Sequence, residues 1–323
     1  MERSVVVTGG HAGIGGECTR TLLADGAHVV VASRDLERAR RELAAPPGAR
    51  VEFGSLDLAS LASVRAFSNW LGDTAQRRPP LRALVCNAGV QVVAGPERTE
   101  DGFELTFGVN HLGHYLLVHR VLPLLVAPAR VVVVASGTHD PAQRTGFPTP
   151  KYRGARGLVE PDRETIDTEG ITKAGQRAYS TSKLCNILFT YGLAERLRRD
   201  RPGVTAVAYD PGFTPGTGLA RQYGRAMRFL FGTVGPALVP LMKPFIHVQT
   251  VPQAGAALAR LAIDSDVDGI TGVYYAGRRQ SRSSDASYER DTQEELFVDS
   301  AELVRLGGAE AAVTVARLGS DKE

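Results

Sequence analysis

Val5-Val6-Val7-Thr8-Gly9-Gly10-His11-Ala12-Gly13-Ile14-Gly15 is the stretch on which the fold turns. It opens with an unbroken apolar run, the pattern of a strand buried on both faces in a parallel sheet covered by helices. It then passes through a glycine cluster into a helical pattern running from Gly15 to Asp25. Glycines let the chain turn tightly and bring backbone N–H groups close to a phosphate, and the helix N-terminus behind them adds a favourable dipole. A glycine cluster alone says little. Set at a strand-to-helix turn, it predicts a cradle for a dinucleotide pyrophosphate.

Outward from there, further Val-rich runs recur at Val29–Val31, Leu84–Val85, Val131–Val134 and Val204–Val207, with a last strand expected at Gly272–Tyr275. Between them lie helical patterns at Asp35–Ala45, Ser60–Leu71, Phe103–Leu125 and Ser180–Arg199. Alternation repeated this often predicts an α/β fold, a doubly wound parallel sheet with helices on both faces. No internal repeat, low-complexity tract or interdomain linker interrupts it. Two stretches do break the rhythm: Gly137–Arg177, rich in Pro, Gly and charge, and Pro211–Pro252, apolar and punctuated by Gly and Pro. Loops this long within one domain predict lids or binding segments.

The chain has 323 residues, 43% hydrophobic and 23% charged, with a net charge of +3, which is ordinary for a globular protein. Its Arg residues are scattered, so no concentrated basic face for nucleic acid is expected. Cys18, Cys86 and Cys185 are far apart and odd in number, fitting reduced thiols of a cytoplasmic protein. His111, His114 and His139 gather no carboxylate or Cys at ligand spacing, so no metal is expected. The most apolar window, Phe229–Val248, contains Pro236, Pro240, Lys243 and Pro244, which makes it a poor membrane span. The N-terminus shows no charged leader before an apolar region, so neither a signal peptide nor integral membrane association is expected.

The second strand ends Ala32-Ser33-Arg34-Asp35. An NAD site would place an acid near the strand end to accept from the ribose 2′-hydroxyl, whereas an Arg suits the 2′-phosphate of NADP. Ser33 stands where the acid would be, Arg34 follows, and Asp35 falls late enough to cap the next helix. The pattern favours NADP(H), with a solvent-facing Arg34 as the plain alternative.

These features, together with Asp57-Leu58, Asn87-Ala88-Gly89, Asn110, Ser136, Tyr179-Ser180-Thr181-Ser182-Lys183 and Pro211-Gly212, resemble the short-chain dehydrogenase/reductase family from about Val5 to about Gly277. Asp101-Gly102-Phe103-Glu104-Leu105 and Asn110-His111-Leu112-Gly113-His114-Tyr115 narrow the likeness to the branch of light-dependent protochlorophyllide reductases and retinol dehydrogenases. Ser182-Lys183-Leu184-Cys185-Asn186 is similar to the reductases' pattern after their catalytic Lys. The resemblance implies a Rossmann-type catalytic domain over residues 1–277, lid segments at about 137–177 and 211–252, and a C-terminal extension over 278–323.

Reduction of a carbonyl by a nicotinamide leaves an alkoxide that must collect a proton. A free tyrosine, with a pKa of about 10, is a poor donor at neutral pH. Tyr179 and Lys183 are four apart and share a helix face, where the ammonium favours the phenolate. Ser136 ends the Val131–Val134 run, where its hydroxyl can orient the reacting oxygen. Tyr179 lies 43 positions after Ser136, which leaves room for a loop over the pocket.

The resemblance gives Lys183 the nicotinamide ribose and Asn110 a water linking Lys183 to solvent. It sets Asn87 beside the cofactor, Asp57 near the adenine and Pro211-Gly212 on the nicotinamide side. Gly9, His11, Gly13, Ile14 and Gly15 fall in the phosphate loop. The family's usual threonine position after Pro211 is Gly216 here, which leaves Thr214 and Thr217 as alternatives for the carboxamide. Cys185 matches a cysteine of the light-dependent reductases and equally fits a buried packing residue.

The reading favoured is an oxidoreductase of a ketone or aldehyde and its alcohol on a hydrophobic small molecule, acting as a monomer or homodimer. Reduction of a C=C bond of the protochlorophyllide kind and a non-catalytic nucleotide-binding protein are the alternatives.

Overall fold

The computed structural model describes residues 2–215 and 248–318. Its centre is an eight-stranded sheet in the order β3-β2-β1-β4-β5-β6-β7-β8. The strands are β1 Ser4–Thr8, β2 His28–Ser33, β3 Val51–Ser55, β4 Leu81–Cys86, β5 Leu125–Val134, β6 Val204–Asp210, β7 Val273–Ala276 and β8 Arg279–Ser281. All neighbours pair in parallel except β7 and β8, which are antiparallel. The order reverses between β1 and β4, and ligands of open α/β sheets bind in the crevice that such a reversal leaves.

The central strands behave as their apolar runs predict: every residue of β1 and β6 is buried. β3 carried no apolar run because it lies at the sheet edge. Its Val-Glu-Phe-Gly-Ser is half-exposed at the first three positions.

Helices cover both faces. α1 Gly13–Ala24 and α2 Leu36–Leu43 follow the first two strands, and α3 Leu61–Asp73 the third. After β4 come α4 Leu105–Phe107, a π-helical turn at Gly108–Leu112, and α5 Gly113–Val121. The stretch after β5 is mostly helical: short turns, α6 Ala155–Leu158, α7 Arg163–Glu169, then α8 Ile171–Asp200. The lid expected over 137–177 therefore ends inside a helix that starts well before Ser180. Gly170, at φ 88°, sits at the junction of α7 and α8, a conformation glycine adopts freely.

α9 Val251–Ile263 begins with a Thr250/Gln253 capping box and lies against α1, where a Cβ on Gly255 would come within 2.3 Å of Glu17 Cβ. α10 Arg290–Leu303 packs Leu296 and Phe297 into the same core as α5 and α8. The segment 278–318 is thus built into the body of the domain. Of the lid expected over 211–252, the part from 216 to 247 lies outside the described residues. Its two ends are tied together, since Gln249 N donates to Phe213 O at 3.1 Å and Gln249 Nε2 to Pro211 O at 3.0 Å.

Candidate active site

The β1–α1 turn is held from below. The Thr8 hydroxyl accepts from Asn87 N at 2.9 Å and Ala88 N at 3.0 Å, and Asn87 Nδ2 donates to Thr8 O at 2.9 Å. Gly9 and Gly13 have φ of 63° and 54°, so both use the left-handed freedom of glycine. A Cβ on Gly15 would stand 2.4 Å from Asn87 Nδ2, whereas one on Gly13 would meet nothing within 4 Å. The turn is therefore tight beneath and open above Gly13. α1 has no side-chain cap and no acid in its first turn, which leaves its first N–H groups for an outside acceptor. His11 and Ile14 flank this opening, half-buried. An open cradle over uncapped helix N–H groups fits a pyrophosphate.

At the end of β2, Ser33 is buried and its hydroxyl bonds Asp35 O at 3.2 Å. Asp35 caps α2 by accepting from Arg38 N at 2.9 Å, as its lateness after the strand predicts. Arg34 is exposed, with no hydrogen bond or ion pair among the described residues. Asp57 accepts from Ala59 N at 2.9 Å, so its carboxylate braces the turn into α3, and Leu58 beside it is buried.

α8 carries Tyr179 and Lys183 on one face, 5% and 3% exposed. The Lys183 ammonium lies 5.6 Å from the centre of the Tyr179 ring and donates to Val134 O at 3.0 Å, two residues before Ser136. Asn186, one turn on from Ser182, donates to the same carbonyl at 3.0 Å. Burial lowers the Lys183 pKa to about 8, and the Asp210 charge acts against that fall. Ser136 caps the short turn Gly137–His139, its Oγ accepting from Thr138 N at 3.3 Å.

Asn110 sits in the π-helical turn, which turns its side chain away from the ordinary helical register. It accepts from Val90 N at 2.8 Å and donates to Val90 O at 2.9 Å and to Ser182 Oγ at 3.0 Å. Gly89 lies where a Cβ would come 3.2 Å from Asn110 Oδ1 and 3.6 Å from Lys183 Nζ. Thr8, Asn87–Gly89, Asn110, Val134–Ser136 and α8 thus meet at the C-terminal ends of β1, β4 and β5.

Pro211 and Gly212 follow β6. Asp210 Oδ1 accepts from Gly212 N at 2.7 Å, and the Thr214 hydroxyl turns back to Pro211 O and Gly212 O, each at 3.3 Å. Thr217 lies outside the described residues. Cys185 is fully buried among core residues, and burial raises its thiol pKa further out of the neutral range.

Several neighbours have roles at the site that the sequence does not announce, His114 and His139 standing out there only as metal candidates or motif residues. His114 meets the Thr8 hydroxyl at 3.0 Å, and the Phe147 ring lies 6.0 Å from that of Tyr179. His139 Nε2 accepts from Ser284 N at 3.0 Å, so Nδ1 carries the proton toward Ser136 O, 2.7 Å away. Only the position of Asp210, an acid at a strand's C-terminal end just before Pro211-Gly212, was a usable signal. The others come from segments distant in the chain. Among the described residues no group of three or more His, Cys, Asp or Glu is placed to hold a metal, and no helix is long and apolar enough to cross a membrane.

A glycine-rich turn at the switch point of a parallel sheet, with a Tyr and a Lys one helical turn apart, defines a nucleotide-binding oxidoreductase fold. A family model described as short chain dehydrogenase matches residues 3–148. The chain is 35% identical to polyprenol dehydrogenase of Danio rerio over 318 residues, 93% of this chain and 86% of that protein. It is 32% identical to retinol dehydrogenase 13 of Homo sapiens over 313 residues, 94% of this chain and 85% of that one. It is also 35% identical to a WW domain-containing oxidoreductase of Danio rerio over 281 residues, 85% of this chain, and spans 61% of that protein's length. Among solved structures, an uncharacterised protein from Mycobacterium paratuberculosis aligns with a TM-score of 0.62 at 26% identity, covering 94% of this chain and 93% of its own. The chain belongs to the short-chain dehydrogenase/reductase family, in its branch of retinol dehydrogenase-like and protochlorophyllide reductase-like members.

Proposed function

We propose that this protein is an NADP(H)-dependent oxidoreductase that interconverts a ketone or aldehyde with its alcohol on a hydrophobic small molecule. The observation that carries the reading is the buried Tyr179/Lys183 pair on α8, with Lys183 anchored at 3.0 Å to Val134 O, two residues before Ser136. A nicotinamide bound in the crevice would supply or accept the hydride. Tyr179 gives the proton to the substrate oxygen, and Ser136 Oγ orients that oxygen and stabilises its developing charge. Lys183 holds the ribose and favours the phenolate, and Asn110 fixes the loop at Val90 beside it. Arg34, exposed and without an ion pair among the described residues, with Asp35 engaged in capping, supports NADP(H) over NAD(H). The names of the two dehydrogenases above, which speak of polyprenol and retinol, favour a long apolar alcohol or its carbonyl. Phe147 beside Tyr179 agrees with an apolar substrate side.

Tyr179→Phe should keep NADPH affinity and lose turnover by roughly 10²-fold or more, the scale of general acid catalysis. The measurement is NADPH consumption over a panel of apolar ketones and aldehydes, with cofactor binding read by fluorescence. Near-full reduction by the variant would require another proton donor.

A further inference from the structure

Asp210 ends β6 at 1% exposure. Its Oδ1 accepts from Gly212 N at 2.7 Å and its Oδ2 from the Tyr274 hydroxyl at 2.6 Å. Side chains two apart on a strand share a face. Ala208 packs with Ile187 and Tyr191 of α8, and so does Tyr274 of β7. Asp210 therefore faces α8 as well, one step nearer the end of the strand. A helix that links parallel strands runs back against them. Two strand residues advance about 6.6 Å and four helical residues about 6 Å, so the step from Ala208 to Asp210 matches the step from Ile187 to Lys183. The anchoring bond agrees: Lys183 reaches Val134 O, and Val134 is paired in register with Tyr209, the residue before Asp210.

We propose that Asp210 is the counter-charge of Lys183, a positioning residue that holds the ammonium protonated in a buried site. It does so while its bond to Gly212 N fixes the turn beside the crevice. Burial disfavours the charged amine there, and Asp210 is the charge that opposes burial.

The other titratable groups near the pair are Tyr179 on α8 itself, His114 from α5, and His139, Asp140 and Tyr274 around the carboxylate. Burial, then the hydrogen bond to Asn110 O, then the Lys183 charge act on His114, which ends at about 4. Burial lowers His139 as well, and its Nε2 is already an acceptor. Neither imidazole changes charge near pH 8, so neither accounts for a titration in that region.

The chain has five lysines, which makes the test direct. With lysine 13C-labelled at Cε, the resonance lost in Lys183→Arg identifies Lys183 in the protein without cofactor. Its midpoint should lie at about pH 8 in the wild type. Asp210→Asn keeps an oxygen for Gly212 N, removes the charge and turns the group facing the Tyr274 hydroxyl from acceptor to donor, so the midpoint should fall by roughly one unit. An unmoved midpoint in folded Asp210→Asn overturns the proposal. Should that variant not fold, Tyr274→Phe decides. It takes a donor from the carboxylate and leaves its charge more exposed to Lys183, so the midpoint should rise, and one that stays or falls overturns the assignment.

The catalytic consequence rests on the proposed function. Activity that needs the ammonium is lost as pH rises through the Lys183 midpoint, so the alkaline limb of NADPH-dependent reduction should move to lower pH in Asp210→Asn. A midpoint that moves in a protein that does not bind NADPH leaves the pairing standing and removes the oxidoreductase reading. An unmoved midpoint in an active enzyme does the reverse.

Discussion

The β1–α1 turn and the segment from 278 to 318 are both tightly bound to the body of the domain, by opposite means. The turn is closed by glycines and by bonds between neighbours on adjacent strands, such as Asn87 N to Thr8 Oγ1. The C-terminal segment is closed by side chains from far along the chain. Arg196, 0% exposed, makes a paired contact with Glu294, both N···O distances 2.9 Å. It also donates to Thr314 O at 2.7 Å and covers the Phe297 ring at 3.8 Å. Tyr115 OH reaches Phe297 O at 2.8 Å, and His111 reaches Ser300 Oγ at 2.9 Å. Backbone constraints mark the local sequence, whereas side-chain constraints between distant positions do not.

The comparison is broken most sharply at Arg196. Arg196→Leu leaves Glu294 facing an apolar site and orphans the carbonyls of Thr314 and Ala316. Removing one partner of a buried pair costs about 3–5 kcal/mol, and Glu294, at 14% side-chain exposure, places this case toward the low end. Urea unfolding should show that loss in a single transition, because α10 shares its core with α5 and α8. The double variant Arg196→Leu/Glu294→Leu should recover much of it. A loss near zero, or a separate early transition, would mean the segment is an appendage after all.

The same contrast explains what the sequence let one read. Valine runs foretold β1, β2, β4, β5, β6 and the last parallel strand, because a strand covered on both faces has no polar positions to hide it. β3 escaped as a half-exposed edge. α10 escaped because nothing near Arg290–Leu303 says that Glu294 will find Arg196. At the site, Tyr179, Lys183, Asn110 and Ser136 were legible as family motifs, and the structure brings Lys183 to the end of the Ser136 strand. Asp210 belongs to no motif and His139 stands out in the sequence only as a metal candidate, since what they do depends on Tyr274 and Ser284 arriving from other segments. The stretch before Tyr179 reads as a loop in the sequence because its Pro and Gly residues punctuate several short helices.

The turn itself gives the second, smaller effect. A Cβ on Gly15 would come 2.6 Å from Gly9 O as well as 2.4 Å from Asn87 Nδ2, and the backbone oxygen cannot rotate away. Gly15→Ala should therefore cost about 1–3 kcal/mol, the range for overpacking a tight site. The loss should show as weaker NADPH binding, because the displaced groups form the cradle. Gly13→Ala meets no atom within 4 Å but must hold φ 54° with a side chain. Its loss should be the lesser of the two, about 1–2 kcal/mol. Equal affinity for NADPH in Gly15→Ala and the wild type would show that the cradle has slack.

The smallest effect is expected at Arg34, where the site is neither backbone-built nor buried. The acid that would serve an NAD ribose is absent from the end of β2: Ser33 is turned toward Asp35 O, and Asp35 is committed to Arg38 N. The Asp35 carboxylate is drawn to the α2 N-terminus, and the exposed Arg34 guanidinium, with no hydrogen bond or ion pair among the described residues, can meet a 2′-phosphate. Wild-type protein should bind NADPH at least tenfold tighter than NADH, about 1.4 kcal/mol, and Arg34→Ala should remove most of that gap while leaving NADH affinity nearly unchanged. Because Arg34 is exposed, its attraction is screened over about 10 Å at 0.1 M salt, so the preference should shrink as salt is added. The Gly15→Ala loss, being steric, should not. Parallel fluorescence titrations with the two cofactors at low and high salt separate these behaviours. Equal affinity for NADPH and NADH in the wild type would overturn the NADP(H) assignment, and a preference that survives Arg34→Ala would place the phosphate contact on another residue.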